Sequence, residues 1–223
     1  MTIKYFEPYP LKKVTILGLG QSAMQFINHS YNNLSHFGSG LNEGVEVWTL
    51  NYGAAIFNHD LAWQMHYLLD VKANCPQLIE FTAKLPRVVT TEPWVDLPNA
   101  QVFPICDTIE YFQDSWFTHS VAYMIAGAIR CLEMYEGKEQ PVLDIFGVDM
   151  DSPNCKREYW EQGKDCVTWW MKEAKHRGIK VGGPPTTTLL DTSIRIHGPS
   201  LYGYKEQPRI ILNEEERVVA SWE

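Results

Sequence analysis

The chain has little that would mark it as secreted, membrane-spanning or polyanion-binding. Its five cysteines, Cys75, Cys106, Cys131, Cys155 and Cys166, are odd in number and form no CxxC pair. That argues against a disulfide framework or a zinc finger, and for a reduced intracellular chain with buried or idle thiols. Positive charge is scarce: 19 Lys and Arg stand against 27 Asp and Glu, a formal net charge of −8. A broad non-specific grip on DNA or RNA is therefore disfavoured by long-range repulsion. No stretch reaches the roughly 18–20 apolar residues that a bilayer span requires. The opening Met1-Thr2-Ile3-Lys4-Tyr5-Phe6-Glu7-Pro8 is mixed and proline-interrupted rather than signal-like. The expectation is a cytoplasmic protein with no membrane partner. Internal repeats and low-complexity linkers are also missing, so no domain boundary stands out.

What is present is globular in composition: 45% hydrophobic, 13% aromatic and 21% charged, enough apolar surface to build a core. A length of 223 residues fits one domain. The expected layout is a single Rossmann-like domain over 1–223, with its core over about 13–204 and a C-terminal tail over 205–223.

Lys13 to Gly18 is a β-rich run with a glycine stop, and Ser22 to Ile27 can open a helix. Val45 to Leu50 reads as a second strand, which delivers Asn51-Tyr52-Gly53 to the same sheet edge if the two run parallel. The intervening Asn28 to Gly44 reads as a loop. Leu61 to His66 reads as a third strand or a helical turn, with His66 at its end. Arg87 to Thr91 and Gln101 to Pro104 are further strand candidates between proline turns. The clearest helix runs from Val121 to Tyr135, apolar at three- and four-residue spacing, with Ser120 as N-cap. Val142 to Gly147 is the next strand, Cys166 to Arg177 a helix, and Ile179 to Val181 a last strand; Glu214 to Arg217 reads as a solvated helix face or tail. This alternation predicts right-handed βαβ units and an α/β fold with a mostly parallel sheet flanked by helices.

Gly18-Leu19-Gly20-Gln21-Ser22 follows a strand and opens a helix, where glycines admit a phosphate to the backbone and the helix terminus offers N–H donors. Ala23 replaces the third glycine of the dinucleotide fingerprint, and Asn51 stands where an acidic residue would close the second strand. Both departures weaken an NAD-dehydrogenase reading, and a plain strand-to-helix turn accounts for the same residues. Asn51 carries donors and an acceptor able to read a ribose or base edge, although Asn-Tyr-Gly also forms turns. His119 and Ser120 begin a helix whose positive end suits an anion or a sugar oxygen; capping alone also explains Ser120, and a surface loop explains His119. Asp149 and Asp151 lie beyond a buried strand, where carboxylates hold metals, accept hydroxyl hydrogen bonds or act as bases. Asp149 is expected to point inward and Asp151 to cap the next turn. His66 is an acid or base by its pKa, or a structural histidine beside aromatic rings. Glu158-Tyr159-Trp160-Glu161 and Tyr202-Gly203-Tyr204 offer further carboxylates and stacking faces, or simply packing.

Four segments now stand in order: Ile16-Leu17-Gly18-Leu19-Gly20-Gln21-Ser22, Trp48-Thr49-Leu50-Asn51, His119-Ser120-Val121-Ala122-Tyr123-Met124 and Phe146-Gly147-Val148-Asp149-Met150. The set resembles the bacterial sialyltransferases of glycosyltransferase family 42, and is similar to a wider Rossmann-like group with motility-associated glycosyltransferases and an archaeal pterin diphosphokinase. Pro184-Pro185-Thr186-Thr187-Thr188-Leu189-Leu190 looks like a late element of that group. The chain also looks like phage-encoded proteins with a Met-His step, a Gly-Val-Asp-Met step and a terminal Leu-Tyr-Gly-Tyr. The resemblance implies that Gly18, Gly20, Gln21 and Ser22 line a nucleotide phosphate and that Asn51 contacts ribose or base. It places Ser120, with His119 beside it, near phosphate or sugar, and gives Asp149 the ribose or donor sugar. The implied activity is transfer of a sugar from a nucleotide-sugar donor to a hydroxyl acceptor, with His66 or Asp149 as base; a modified base in phage DNA is one acceptor of this kind. The pterin-kinase likeness implies instead ATP-dependent diphosphate transfer to a hydroxymethyl group, with Mg²⁺ on Asp149 or Asp151. A third reading is nucleotide binding or sequestration without transfer. Two departures stand out. His119-Ser120-Val121 replaces the sialyltransferases' Thr-Ser-Gly, and no histidine occurs from Met150 to Lys175, where that family carries its base. Donor, acceptor and any homo-oligomeric state are left open at this level.

Overall fold

The computed structural model describes residues 2–26, 44–149, 157–184, 209–212 and 217–222. One sheet is built from β1 (Lys13–Leu17), β2 (Val45–Leu50), β3 (Leu61–Gln64), β4 (Val88–Thr90), β5 (Ala100–Val102), β6 (Val142–Phe146) and β7 (Lys180–Gly182). Their order is β5-β4-β3-β2-β1-β6-β7, and every pairing is parallel. Flanking it are α1 (Leu68–Asn74), α2 (Pro76–Thr82), α3 (Ile105–Phe112), α4 (Ser120–Glu133) and α5 (Arg157–His176), while Asn51–Ala55 forms a 3-10 turn directly after β2. This is the expected Rossmann-like α/β fold. Strand order runs outward from β1 to β5, then restarts at β6 on the other side of β1. The crevice where open α/β sheets take their ligands therefore lies between β1 and β6.

Strands covered on both faces read as nearly continuous apolar runs, and β1 is of this kind, buried from Val14 to Leu17. Register aligns Ile16 with Trp48, Trp48 with Leu61 and Leu50 with Trp63. Residues aligned in this way share a face, and Trp48 and Trp63 pack there with ring centroids 5.4 Å apart. Helix α4 lies against these rings: a side chain on its Gly127 would begin 3.0 Å from the Trp63 indole. Burying a large ring of this kind contributes about 2–3 kcal/mol, so the aromatic layer between sheet and α4 is the main apolar anchor. The opposite face carries smaller residues, Ala62 and Val88 with Ala54 of the 3-10 turn.

Several elements differ from the sequence reading. Helix α4 starts at Ser120, and its N-cap is His119, whose Nδ1 accepts from the Val121 amide at 3.2 Å; Ser120 is not the cap. Helix α5 starts at Arg157 rather than Cys166 and runs through Gly163, a poor helix former. A Cβ at Gly163 would lie 2.9 Å from His119 Cδ2, so the gap in side chains there admits the imidazole. The short helices α1, α2 and α3 have only seven or eight residues each, too few for periodicity to separate them from turns. The expected C-terminal tail contains β8 (Arg209–Leu212) and β9 (Val218–Ser221), an antiparallel pair. Strand β9 is tied to the end of α3: the Val218 amide donates to Gln113 Oε1 at 2.6 Å, and the Ala220 amide to Glu110 Oε1 at 3.2 Å. The predicted loop apart from Gly44, Asp151, Tyr202 to Tyr204 and Glu214 to Glu216 lie outside the described residues. Among those described, no helix is long and apolar enough to cross a membrane.

Candidate functional site

Because the sheet is parallel, the carboxyl ends of β1, β2, β3 and β6 bring Gly18, Asn51, His66 and Asp149 to one edge. Around the crevice, the turn after β1 is stitched to the segment after β6. Gly18 N donates to Phe146 O at 2.9 Å and Gly20 N to Gly147 O at 2.7 Å. Ser22 N donates to Asp149 Oδ2 at 2.7 Å, and Gly147 N to Ser22 Oγ at 2.8 Å. The amides expected to receive a phosphate are thus engaged within the protein. The glycines answer to this backbone contact: a Cβ on Gly18 would lie 2.3 Å from Gly147 O, and one on Gly20 2.6 Å from Asp149 Oδ2. Gly147 itself has φ +66°. The expectation of an open anion nest at Gly18, Gly20 and Ser22 is corrected accordingly. The positive end of a helical turn attracts negative charge, and here the chain's own carboxylate supplies it. Leu19 and Gln21 remain exposed on the flank of the turn.

Asp149 points inward as expected, but not as a free base. Its Oδ2 is bound to Ser22, and its Oδ1 is enclosed without a partner.

Asn51 and His66 do meet. Asn51 sits at φ 50°, a left-handed conformation that Asn tolerates better than most residues. The Met65 amide donates to its Oδ1 at 2.9 Å. That bond assigns the amide orientation and turns Nδ2 toward His66, 3.4 Å from Nε2. As Nδ2 only donates, His66 Nε2 is the lone-pair nitrogen and Nδ1 carries the proton. The Tyr52 ring lies beside the imidazole, centroids 6.4 Å apart. Burial pushes the His66 pKa below its ordinary 6.5, with Asp70 pulling the other way. The result is a neutral, half-buried imidazole at the ligand-binding edge of the sheet, its accepting nitrogen met by Asn51 through a long contact.

His119 and Ser120 serve the start of α4. The His119 ring caps the helix and rests against Gly163, and burial pushes its pKa down to about 4. Ser120 is buried as the first helical residue. Their described contacts are structural, and none joins them to Asn51 or His66. Among the described residues, no three His, Cys, Asp or Glu side chains converge on a metal-holding arrangement.

Two polar groups were missed from sequence. Gln64, the last residue of β3, is 2% exposed, and both its Nε2 and Oε1 lack partners. Thr91, just beyond β4, is 1% exposed with an unpaired Oγ1. Each buried unpaired group costs about 1–3 kcal/mol. The available signal was a glutamine ending the apolar run Leu61-Ala62-Trp63. Comparison of the chain with protein-family models, curated proteins and solved structures yields no match.

Proposed function

We propose that the chain is a glycosyltransferase that moves a sugar from a nucleotide-sugar donor to a hydroxyl acceptor, with His66 as the base. The observation that carries this reading is the neutral His66, its lone-pair nitrogen oriented by Asn51, at the edge where open α/β sheets take ligands. The ordered likeness to family 42 supplies the reaction class. In this mechanism the acceptor hydroxyl displaces Asn51 Nδ2 from its long, 3.4 Å contact with His66 Nε2 and gives its proton to that nitrogen while its oxygen bonds to the anomeric carbon. The nucleotide phosphate leaves with the electron pair of the broken bond. The amides of Gly18, Gly20 and Ser22 shape the crevice rather than touch the phosphate, which falls to the exposed flank at Gln21. Gln64 is the buried group at this edge with most to gain from a polar ligand, since its donor and acceptor are both unpaired.

A thermal-shift panel of UDP, CMP, GDP, ADP and their sugars, with ATP and Mg²⁺ as the diphosphokinase arm, tests donor binding; a flat response overturns the reading. Once a donor is found, His66→Gln is expected to keep binding and lose turnover by about a hundredfold or more. Turnover in the parent chain should be flat around neutral pH and fall only below the lowered His66 value, because the base must be unprotonated. Wild-type turnover in His66→Gln would remove His66 from the mechanism.

The engagement of Asp149 by Ser22 favours one further reading, a nucleotide-binding protein without transfer, because it leaves a single base. Tight nucleotide binding with no turnover of any donor, unchanged in His66→Gln, would establish it.

A further inference from the structure

We propose that the cavity beyond the carboxyl ends of β4 and β5 is a binding site for a small organic cation, an ammonium group carried on an apolar body. The cavity has a volume of about 780 Å³, in the range of pockets that enclose a drug-sized molecule. It is framed by regular elements rather than by a loop alone. Tyr5 forms an isolated parallel bridge to Val102 at the sheet edge, the 91–93 segment leaves β4, and the first turn of α3 closes one side.

The lining chemistry selects the ligand. Glu92 and Asp107 both line the cavity, and among the described residues no Lys or Arg does. Neither carboxylate forms an ion pair among the described residues. Glu92 is held in place through one oxygen only, accepting from the Leu68 amide at 3.2 Å. Tyr5 and Trp222 contribute aromatic walls about half exposed, at 50% and 51%, and Phe103 contributes a buried one. Thr91 adds a buried hydroxyl with no partner. Cys106 lines the cavity as a neutral thiol, since burial, with Asp107 and Glu110, pushes it up to about 11. Carboxylates and aromatic faces both attract a cation; the same set repels an anion and offers a neutral molecule hydrogen bonds without the attraction between opposite charges. The unpaired Thr91 hydroxyl has the lone pairs to accept an ammonium N–H. Neither His66 nor Asn51 lines this cavity, so the cation site is independent of the transfer reading.

Calorimetric titration of the full chain with benzylammonium chloride, against benzyl alcohol as its uncharged counterpart and methyl glucoside as a neutral sugar, tests the proposal. The ammonium is expected to bind at least about tenfold more tightly than the alcohol, a difference of about 1.4 kcal/mol. The double variant Glu92→Gln, Asp107→Asn should erase that preference, and Trp222→Ala should weaken ammonium and alcohol alike. An unchanged melting temperature identifies the variants as folded, and the Gln retains the acceptor for Leu68. Equal affinities, tighter binding of the glucoside, absence of saturable binding, or a preference that survives in the double variant would each overturn it.

Discussion

His119 shows how one side chain can tie stability to pH. Its folded pKa is near 4, against an ordinary 6.5, and burial is the cause. The unfolded chain therefore takes up the proton first as pH falls. The stability gained by burying neutral imidazole is complete above 6.5 and drains away toward 4. The expected loss is on the order of 3 kcal/mol across that window, read from urea unfolding at neutral and mildly acidic pH. His119→Asn keeps a capping acceptor and should flatten the acid limb while lowering the neutral-pH plateau through lost packing on Gly163. An acid limb of undiminished slope in that variant would place the titration elsewhere. His66 differs in degree: it is also lowered, but its ring meets Asn51 and Tyr52 rather than a helix interior.

At the scale of elements, the clasp between the β1 turn and the end of β6 decides what the glycines mean. A methyl group on Gly18 would collide with the Gly147 carbonyl at 2.3 Å, backbone that cannot rotate aside. Gly18→Ala is expected to cost roughly 3 kcal/mol or more, measured by chemical denaturation. Asp149→Ala should cost about 1–3 kcal/mol by stranding the Ser22 amide, and nucleotide affinity should not rise with it. Were a phosphate to use that amide, removing the carboxylate would tighten binding instead. The sequence pattern strand, glycine turn, helix was legible here, and so was Asp149 as the inward carboxylate. Their mutual bond was not, because the Ser22 amide and the Asp149 carboxylate it reaches are separated by 127 residues, and local spacing carries no record of a partner that distant.

For the whole molecule, β9 joins the C-terminal residues to α3. Removing residues 217–223 deletes the two Gln113 bonds and the Glu110 bond with its backbone. At about 1 kcal/mol each, the loss should be about 3 kcal/mol, seen as a lower melting temperature with the helical and sheet signal retained. An unaltered melting temperature would show that β9 is only draped on the surface.

The residues alone determined the alternation of apolar runs and stops, and with it a parallel α/β sheet, because period and chirality are local properties that restrict crossover connections to one hand. They also marked α4 by its three- and four-residue spacing, and placed Asn51, His66 and Asp149 at strand ends. Tertiary structure decided which of these groups remain available for chemistry. Ser22 is claimed by Asp149, His119 by the start of a helix, and Gln64 is left buried and unpaired. Hydrogen-bond satisfaction and desolvation depend on neighbours brought together by folding, and those neighbours come from remote parts of the chain.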